Sequence, residues 1–439
     1  MSRVARPASS LFCYLRVSLV LILVTCLIII MVPLKHWTNT ACLPSQNTSS
    51  GASFKGAVTN ITIAELLHNI SRQVKVAGVD CAAIFKGSKD EIIAANNLIG
   101  NISAPLSDSF YLNLTQDCGN FHKQRGYIMS SLRNEEKQFP IAYSMIVYKD
   151  SEMVERLLRA IYRPHNLYCI HVDLKASTDF FDAISAIVKC FNNVFLASRR
   201  IQVKWATYTV LEPELVCMED LWKYRKWKYF INLTGQEFPL KTNHELVKIL
   251  IGFHGAVDVI ASVKGVFRNR FLRSKEPPHG LRIVKGAVHI VVNREFVDFV
   301  LNNKISKDLL AWVKTTVVPD ETFFGMLNAN PQLGIKGTYK GLPEYNATRG
   351  SFARFKNWGG TPCAGRRVRE ICILTTGDLP LLGRSPMMFA NKFFLEEDRV
   401  VIGCLEEKIF NDTRDEYTGA KVFDITPYKN ADFITNQVD

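Results

Sequence analysis

The stretch P-I-A-Y-S-M-I-V-Y, from Pro140 to Tyr148, is a continuous run of apolar residues. Such a run is typical of a strand that is buried on both faces of a sheet. Asp150 or Ser151 follows it and can cap a helix whose apolar positions 153, 157, 158 and 161 fall on one stripe. The sequence therefore predicts a buried strand that is followed at once by an amphipathic helix.

The alternation of strand and helix continues along the chain. L-Y-C-I-H-V-D, residues 167–173, is a second buried strand, and Ser177 begins a helix that runs to Cys190. V-F-L-A-S, residues 194–198, is a third strand. The order β-α-β-α-β implies right-handed crossovers and a mainly parallel sheet, and therefore an α/β fold. Further elements are expected as strands near 228–233 and 287–292 and as helices near 294–302 and 306–314.

Two polar residues lie where the first two predicted strands end. In open parallel sheets ligands bind outside the carboxyl ends of the strands. Tyr148 and Asp173 should therefore face one crevice. For Asp173, a structural role as a cap is an equally good interpretation on this argument alone.

Composition and charge limit the class of protein. The chain has 439 residues, 47% of them hydrophobic, which is enough for one large domain with extensions or for two ordinary domains. Its formal net charge of +13 is compatible with nucleic acid, anionic lipid or phosphorylated substrates as partners. No Lys/Arg block of the nucleic-acid-binding type is present, so nucleic acid is not expected.

The segment from Val17 to Leu34 carries no charge and is about the minimum length for a membrane span. Arg3, Arg6 and Arg16 precede it, whereas Lys35 is the nearest cation after it. This bias predicts a type II signal anchor at 17–34, with a cytoplasmic tail at 1–16 and the rest of the chain in a lumen. A cleaved signal peptide is the alternative. The polar residues after the span predict a lumenal stem, placed at 35–80, before a lumenal domain at 81–439.

The glycosylation sequons agree with a lumenal location, because N-x-S/T sequences can be modified only in the secretory pathway. Asn232 has such a sequence but lies at the end of a predicted buried strand. The other sequons are Asn47, Asn60, Asn69, Asn101, Asn113, Asn346 and Asn411.

The eleven cysteines fit the same compartment. Cys13 and Cys26 belong to the predicted tail and span, which leaves nine beyond the membrane. Neither a C-x-x-C sequence nor a His pair with zinc-ligand spacing occurs, so a metal framework is not expected. In an oxidising lumen the sequence predicts four disulfides and one remaining thiol, assigned to Cys42 in the stem.

Several enzyme classes lack their motifs in this chain. No G-x-G-x-x-G follows the first strand, and no G-x-S-x-G nucleophile elbow is present. The segment from Gly360 to Arg366 resembles a phosphate loop but has Arg in place of Lys. No D-x-D sequence occurs either, so a nucleotide-sugar diphosphate would have to be neutralised by Lys and Arg. Such cations occur in 366–372 and 390–394, where solvated surface positions are the alternative.

The acid pair in V-V-P-D-E-T-F-F, residues 317–324, precedes a short helical pattern. From the residues alone, Asp320 and Glu321 are caps or surface acids rather than catalytic groups.

The sequence resembles the core 2 and I-branching β-1,6-N-acetylglucosaminyltransferases, family 14 of the glycosyltransferases, over residues 81–410. The motifs that carry the resemblance are F-P-I-A-Y-S-M-I-V-Y, L-L-R-A-I-Y-R-P-H-N-L-Y-C-I-H-V-D, N-L-T-G-Q-E-F-P-L-K-T-N, P-D-E-T-F-F, T-T-G-D-L and F-A-N-K-F. The resemblance implies a GT-A-type fold in a Golgi type II membrane enzyme that works without a metal cofactor. It also implies inverting transfer of GlcNAc from UDP-GlcNAc through a β-1,6 linkage.

The expected partners are UDP-GlcNAc and a glycoprotein or glycolipid glycan, with a homodimer as one form of assembly.

The resemblance further implies roles for individual residues. Glu321 matches the family's catalytic base, which leaves the role of cap to Asp320. The remaining matches are Arg369 and Lys392 for the diphosphate, Ile146, Tyr148, Asp173 and Trp205 for the uridine side, and Trp358 for the acceptor sugar.

The resemblance also implies a disulfide pattern. The expected pairs are Cys118–Cys190, Cys169–Cys217, Cys363–Cys372 and Cys81–Cys404.

The departures from the family pattern lie mostly on the acceptor side. Residues 251–285 lack the Glu…Lys…Arg-Trp-Lys stretch that contacts the acceptor in relatives, and Gly360 replaces an acceptor-side aromatic. Thr322 and Phe324 replace the usual His and Trp after the acid pair, and Thr234 replaces a common cysteine. The altered stretch is the reason for an alternative function, a catalytically weak relative that binds UDP or a glycan. A xylosyltransferase-like enzyme is a further alternative.

Overall fold

The computed structural model describes residues 61–99, 105–264, 266–272, 274–341 and 351–439. The predicted tail, membrane span and most of the predicted stem, with Cys42, lie outside the described residues, as do Asn47, Asn60, Asn101 and Asn346. Within the described ranges, no helix combines the length and the apolar character that a membrane crossing requires.

The described residues from 61 onward belong to one compact unit. Its strands are β1 (Ile141–Val147), β2 (Leu167–Val172), β3 (Val194–Leu196), β4 (Tyr229–Thr234), β5 (Glu237–Pro239), β6 (Asp258–Ser262), β7 (Lys285–Asn293), β8 (Arg354–Phe355), β9 (Arg367–Val368), β10 (Ile371–Cys372) and β11 (Phe389–Asn391).

The α-helices are α1 (Ile63–Gln73), α2 (Cys81–Lys86), α3 (Lys89–Ile99), α4 (Asp108–Leu114), α5 (Cys118–Arg125), α6 (Asn134–Gln138), α7 (Ser151–Ile161), α8 (Thr178–Lys189), α9 (Glu212–Trp222), α10 (Asn243–Gly252), α11 (Arg294–Asn302), α12 (Lys304–Val313), α13 (Phe323–Asn328), α14 (Leu379–Arg384), α15 (Arg399–Thr418), α16 (Thr426–Lys429) and α17 (Asp432–Thr435). Short 3₁₀ turns occur at Tyr208–Val210, Arg268–Phe271, Pro278–Gly280, Pro319–Glu321, Pro331–Leu333 and Thr376–Asp378.

The central sheet has the strand order β3-β2-β1-β4-β7-β6. β1 pairs in parallel with β2 and with β4, and β2 pairs in parallel with β3. β7 runs antiparallel to both β4 and β6. The prediction of an α/β fold with a mainly parallel sheet is therefore confirmed. Because β1, β2 and β4 run parallel to one another, their carboxyl ends lie at the same edge of the sheet.

Burial of both faces of β1 explains its continuous apolar sequence. Ile141, Tyr143 and Met145 pack in a core with side chains of α7 and α8, whereas Ala142 packs on the opposite face with side chains of α9. Asp150 is the N-cap of α7, because its carboxylate accepts a hydrogen bond from the backbone N–H of Met153 at 3.0 Å. The prediction that Asp150 or Ser151 caps this helix is therefore confirmed for Asp150.

A second, three-stranded sheet with the order β5-β11-β8 lies close to the end of β4. β11 pairs antiparallel with β5 and parallel with β8. Phe238 of β5 and Ala390 of β11 belong to a separate buried cluster that includes side chains of α2, α14 and α15. This small sheet carries the segment around Lys392 toward the edge at which the central strands end.

Four disulfides form between the pairs that the resemblance implies. They are Cys81–Cys404, Cys118–Cys190, Cys169–Cys217 and Cys363–Cys372. The pairing is therefore confirmed. Of the sequons, Asn69 and Asn113 are exposed and Asn411 is half-buried, whereas Asn232 is buried and its amide donates to the carbonyl of Val288 at 2.7 Å.

Replacement of both Cys81 and Cys404 by Ala should lower the free energy of unfolding far more than the same change at Cys363 and Cys372. The first pair closes a segment of 323 residues and the second a segment of 9. Loop-closure entropy predicts a difference of about 3 kcal/mol between the two double variants. Chemical denaturation of the two double variants measures it, and equal losses would contradict an entropic origin.

Candidate active site

A tight turn after α12 positions Glu321. The residues Pro319–Glu321 form a 3₁₀ turn, preceded by Val318 in the left-handed region at φ 56°. The backbone N–H of Val318 donates to the carbonyl of Ala206 at 3.0 Å, which ties the turn to the loop that carries Trp205. The proline fixes φ at the start of the turn, so the chain direction is set just before the acid pair.

Two glycines let this turn approach the central sheet. A Cβ at Gly286 of β7 would lie 2.9 Å from the carbonyl oxygen of Ile260 and 3.2 Å from that of Glu321. A Cβ at Gly325 of α13 would lie 3.1 Å from the Cα of Gly286. The absence of side chains at both positions therefore allows the backbone that carries Glu321 to pack directly against β7.

Glu321 lines a cavity of about 920 Å³. Its side chain is 33% exposed, and its Oε2 accepts a hydrogen bond from Nη1 of Arg270 at 2.7 Å. Arg270 belongs to the 3₁₀ turn Arg268–Phe271, within residues 251–285, where the resemblance predicts an altered acceptor side. A partly exposed carboxylate in a cavity is placed to accept a proton from a bound molecule.

The prediction that Asp320 is a helix cap is wrong. Its side chain makes no capping hydrogen bond to the turn or to α13. Asp320 instead points into the protein, where it is 8% exposed, and Oδ1 has no hydrogen-bond partner among the described residues. Burial, reinforced by the neighbouring Glu321, raises the pKa of the Asp320 carboxyl to about 6.

Trp358, predicted from the resemblance to contact a sugar, lines the same cavity as Glu321. Its ring is exposed, with 59% of its surface accessible. An exposed aromatic ring beside a partly exposed carboxylate is suited to stack on a sugar ring whose hydroxyl reaches the carboxylate. The structure therefore brings these two predicted residues together.

A buried ionic network supports the cavity wall from behind. Glu237 of β5 accepts a hydrogen bond from Nε of Arg354 at 2.6 Å and lies 2.8 Å from Nε2 of His289. Burial alone would raise the pKa of Glu237, but Arg354 and His289 together lower it to about 2. Burial lowers the pKa of His289 to about 4, so the ring is neutral and Nε2–H donates to Glu237.

Lys356 connects this network to the cavity. Its ammonium lies 3.4 Å from Nδ1 of His289, and burial and the neighbouring Arg354 lower its pKa. The sequence predicts no role for Arg270, His289 or Lys356. Glu237 lies in the quoted Q-E-F-P motif, but only the fold shows that its carboxylate is buried against two basic side chains.

The predicted diphosphate-binding residues form a separate basic group. The guanidinium of Arg369 lies 5.7 Å from the centre of the Trp205 ring, and the ammonium of Lys392 lies 5.3 Å from that of Phe394. Burial, together with the cations Arg369 and Lys149, lowers the pKa of Lys392. Arg369 and Lys149 therefore each lie close enough to Lys392 to repel its charge. Lys149 is paired with Glu396 at 2.8 Å, so Arg369 and Lys392 are the two cations of this group that favour an anion beside them.

The predicted uridine-side residues Ile146, Tyr148 and Asp173 lie at the carboxyl edge of the sheet. The backbone N–H of Asp173 donates to the carbonyl of Val147 at 2.9 Å. Tyr148 is exposed and Asp173 is buried. The Oδ1 of Asp173 accepts from the backbone N–H of Lys175 at 2.9 Å, so this residue also has the structural role that its position allowed.

Trp205 is the most exposed of these residues, at 72%, and its contact with Arg369 places it beside the basic group.

Glu237 is the residue that the two parts of the site share, since its charge acts on both Lys392 and Lys356. Among the described residues, no cluster of three His, Cys, Asp or Glu side chains is arranged to hold a metal ion.

Comparison with known proteins gives one family. Residues 141–382 match the family model of the Core-2/I-Branching enzyme. The chain is similar to the beta-1,3-galactosyl-O-glycosyl-glycoprotein beta-1,6-N-acetylglucosaminyltransferase 3 of Bos taurus, with 36% identity over 362 residues, 75% of this chain and 81% of the relative. The human protein of the same name is 35% identical over 374 residues, 78% of this chain and 85% of the relative. A beta-1,3-galactosyl-O-glycosyl-glycoprotein beta-1,6-N-acetylglucosaminyltransferase of Bovine herpesvirus 4 (strain LVR140) is 36% identical over 376 residues, 78% of this chain and 84% of the relative.

Asp320→Asn should change how stability depends on pH. The pKa of Asp320 is about 6 in the folded chain, above the ordinary value of 3.8, so the folded state binds this proton more tightly than the unfolded state. The resulting stabilisation is present below pH 3.8 and is lost as the pH rises through 6. Relative to the Asn variant, the wild type should lose about 2 kcal/mol of unfolding free energy between about pH 4.5 and about pH 7.5.

Urea denaturation of both chains at the two pH values measures this difference. Other buried carboxyl groups, such as Glu214 and Asp258, titrate in both chains and cancel in the comparison. Parallel pH profiles for the wild type and the Asn variant would show that Asp320 has an ordinary pKa.

Proposed function

The chain belongs to the Core-2/I-branching enzyme family, and from this we propose that it is an inverting glycosyltransferase that transfers GlcNAc from UDP-GlcNAc to a glycan through a β-1,6 linkage. The observation that carries the proposal is the shared cavity of Glu321 and Trp358, beside a basic group that includes Arg369 and Lys392. A carboxylate base, a sugar platform and an anion site are the three parts that such a transfer needs.

Glu321 acts as the general base. The 6-hydroxyl oxygen of the acceptor sugar attacks the anomeric carbon of the donor from the side opposite the diphosphate. The hydroxyl proton passes to Glu321 as the new C–O bond forms. The bond between the anomeric carbon and the diphosphate oxygen breaks, UDP leaves with the electron pair, and the α-linked donor gives a β-linked product.

Arg270 holds the base in place. Its guanidinium engages Oε2 of Glu321 at 2.7 Å, and this is the one side-chain hydrogen bond that Glu321 makes within the described part of the chain. When one carboxylate oxygen is held by a hydrogen bond, the side chain stays in one rotamer. The other oxygen can then accept the proton of the acceptor hydroxyl. Arg270 is therefore a positioning residue for the proton transfer.

Arg369 and Lys392 neutralise the diphosphate of UDP, with Lys149 close by. The lowered pKa of Lys392 reflects burial together with repulsion from these cations, and a bound dianion would remove that repulsion. No metal is required in this arrangement, because two fixed cations supply the charge that stabilises the leaving group.

The remaining predicted contacts complete the substrate sites. Ile146, Tyr148 and Asp173 bind the uridine side at the carboxyl edge of β1 and β2, and Trp205 covers it from the loop before α9. Trp358 stacks on the acceptor sugar.

The relatives' names and the four disulfides support a place in the secretory pathway. We place the enzyme in the Golgi membrane as a single-pass type II protein with a lumenal catalytic domain. A glycoprotein or glycolipid serves as acceptor, and a homodimer is the proposed form of assembly.

Glu321→Gln should abolish most transfer without loss of UDP affinity. The amide keeps the shape of the side chain but cannot take the acceptor proton. Transfer should fall by about 10²–10⁴-fold, with most of the loss in kcat. Initial rates with UDP-GlcNAc and a β-1,3-galactosyl O-glycan measure the effect.

Glu370→Gln is the matched control, because Glu370 is the other glutamate among the residues that line the cavity. It should retain most of the activity. Wild-type rates in the Glu321→Gln variant would show that another group is the base. If the wild type transfers no GlcNAc to any acceptor yet binds UDP, the chain is a binding relative rather than an enzyme.

Transfer should persist in excess EDTA, since Arg369 and Lys392 supply the charge for the diphosphate. Replacement of both by Ala should weaken UDP binding by about 3–6 kcal/mol, because hydrogen bonds to charged groups are each worth about 1.5–3 kcal/mol. Isothermal titration with UDP measures this.

Arg366→Ala is the control for the diphosphate cations. Arg366 lies in the same segment but is mainly exposed and pairs with Glu397, so its loss should leave UDP affinity near the wild-type value. A strict requirement for Mn²⁺ would overturn the roles given to Arg369 and Lys392.

A further inference from the structure

The cavity around Glu321 has an excess of basic side chains. The cations that line it are Lys264, Arg270, Lys285, Arg354 and Lys356, and the carboxylates are Glu321 and Glu370. Two of the cations are already neutralised, Arg270 by Glu321 at 2.7 Å and Arg354 by the buried Glu237 at 2.6 Å. Three lysines and one glutamate therefore set the charge of the remaining wall, which is positive.

The three lysines lack a carboxylate partner within the described ranges. Lys356 is held only through the neutral ring of His289, at 3.4 Å. The ammonium of Lys285 lies over the ring of Phe267 at 4.7 Å, and the guanidinium of Arg270 lies over the same ring at 4.8 Å. Phe267 thus holds Lys285 beside the Arg270–Glu321 pair at the cavity. Glu321 neutralises Arg270, so Lys285 is the cation on this ring whose charge remains uncompensated among the described residues.

These cations are distinct from the group assigned to the diphosphate. Lys264, Arg270 and Lys285 all lie within residues 251–285, the stretch in which the sequence departs from the family pattern. Arg369 and Lys392 come instead from the segments around β9 and β11. The donor diphosphate thus has its own cations, and the lysines of the cavity wall remain for the other substrate.

We infer that the acceptor glycan carries a negative charge, a carboxylate or a sulfate, that Lys264 and Lys285 bind beside the sugar that receives GlcNAc. The inference rests on the proposed function, because it assigns the cavity of Glu321 to the acceptor. Hydroxyl groups of a neutral glycan would leave the wall charge uncompensated, whereas one anionic substituent would form charge-assisted hydrogen bonds with the two ammonium groups. The altered stretch is then a specificity determinant rather than a damaged site.

The test uses the full-length chain, UDP-GlcNAc and three acceptors with the same β-1,3-galactosyl-GalNAc core. One is neutral, one carries sialic acid on the galactose and one carries sulfate on the galactose. At least one charged acceptor should have a kcat/KM about tenfold higher than the neutral acceptor, and the ratio should fall as salt screens the charges. The two charged acceptors distinguish carboxylate from sulfate as the group that is recognised.

The double variant Lys264→Gln/Lys285→Gln should bring the ratio of charged to neutral acceptor close to one, with UDP affinity retained. Lys275→Gln is the matched control, since Lys275 belongs to the same stretch and is exposed but does not line the cavity. It should keep the wild-type preference. A preference that survives the double variant, or a neutral acceptor that is used as well as the charged ones, would overturn the inference while the proposed function stands.

Binding of the three glycans to the UDP-loaded chain, followed by saturation-transfer NMR, separates the two proposals. A chain that transfers nothing but binds the charged glycans through Lys264 and Lys285 supports the anionic ligand and refutes the transferase. Equal binding of charged and neutral glycans would overturn the anionic ligand.

Discussion

A buried carboxylate, Glu237, holds the two sheets and the cavity wall in register. Its oxygens engage Arg354 of β8 at 2.6 Å, His289 of β7 at 2.8 Å and Asn391 of β11 at 3.3 Å. Removal of a carboxylate from water costs several kcal/mol, and the cost is offset only when the partners are well placed. The site therefore depends on this contact geometry, because a shift of any of these strands would leave a buried charge without its partners.

The consequence of this arrangement is that the chemistry lies on backbone that cannot move independently. The small sheet carries Asn391 and the adjacent Lys392 to Glu237, and β7 carries His289 to the same carboxylate. At its other end, β7 contacts the turn of Glu321 through Gly286. The strand β7 thus connects the buried network around Glu237 with the turn that carries the proposed base. This connection keeps the distance between the proposed base and the proposed diphosphate-binding residues fixed.

The sequence alone predicted the local features that repeat with a simple period. The apolar runs at 140–148 and 167–173 correspond to β1 and β2. The helix α8, which begins after Ser177, and the strand β3 then follow in the predicted order. The sequence does not predict β6 or the long helix α15, and the cap predicted at Asp320 is wrong. A cap and a buried acid have the same local sequence, and only the packing of β7 against the turn distinguishes them. Arg270 could not be found either, since its contact with Glu321 spans 51 residues.

The two halves of the site differ in how they are held, and this difference explains why one half could change. The proposed uridine side lies at the ends of β1 and β2, and Cys169–Cys217 connects β2 to α9. On the proposed acceptor side, Lys264 and Arg270 come from the segment between β6 and β7, whose described residues form only short 3₁₀ turns, whereas Lys285 is the first residue of β7. Substitutions in a loop of this kind disturb few backbone hydrogen bonds, so its side chains can be exchanged at little cost in stability. The proposed uridine contacts of Ile146, Tyr148 and Asp173 lie in or directly after strands of the central sheet, whereas Lys264 and Arg270 lie on a segment whose side chains can vary. The proposed acceptor side can therefore change without disturbing the strands that carry the proposed uridine side.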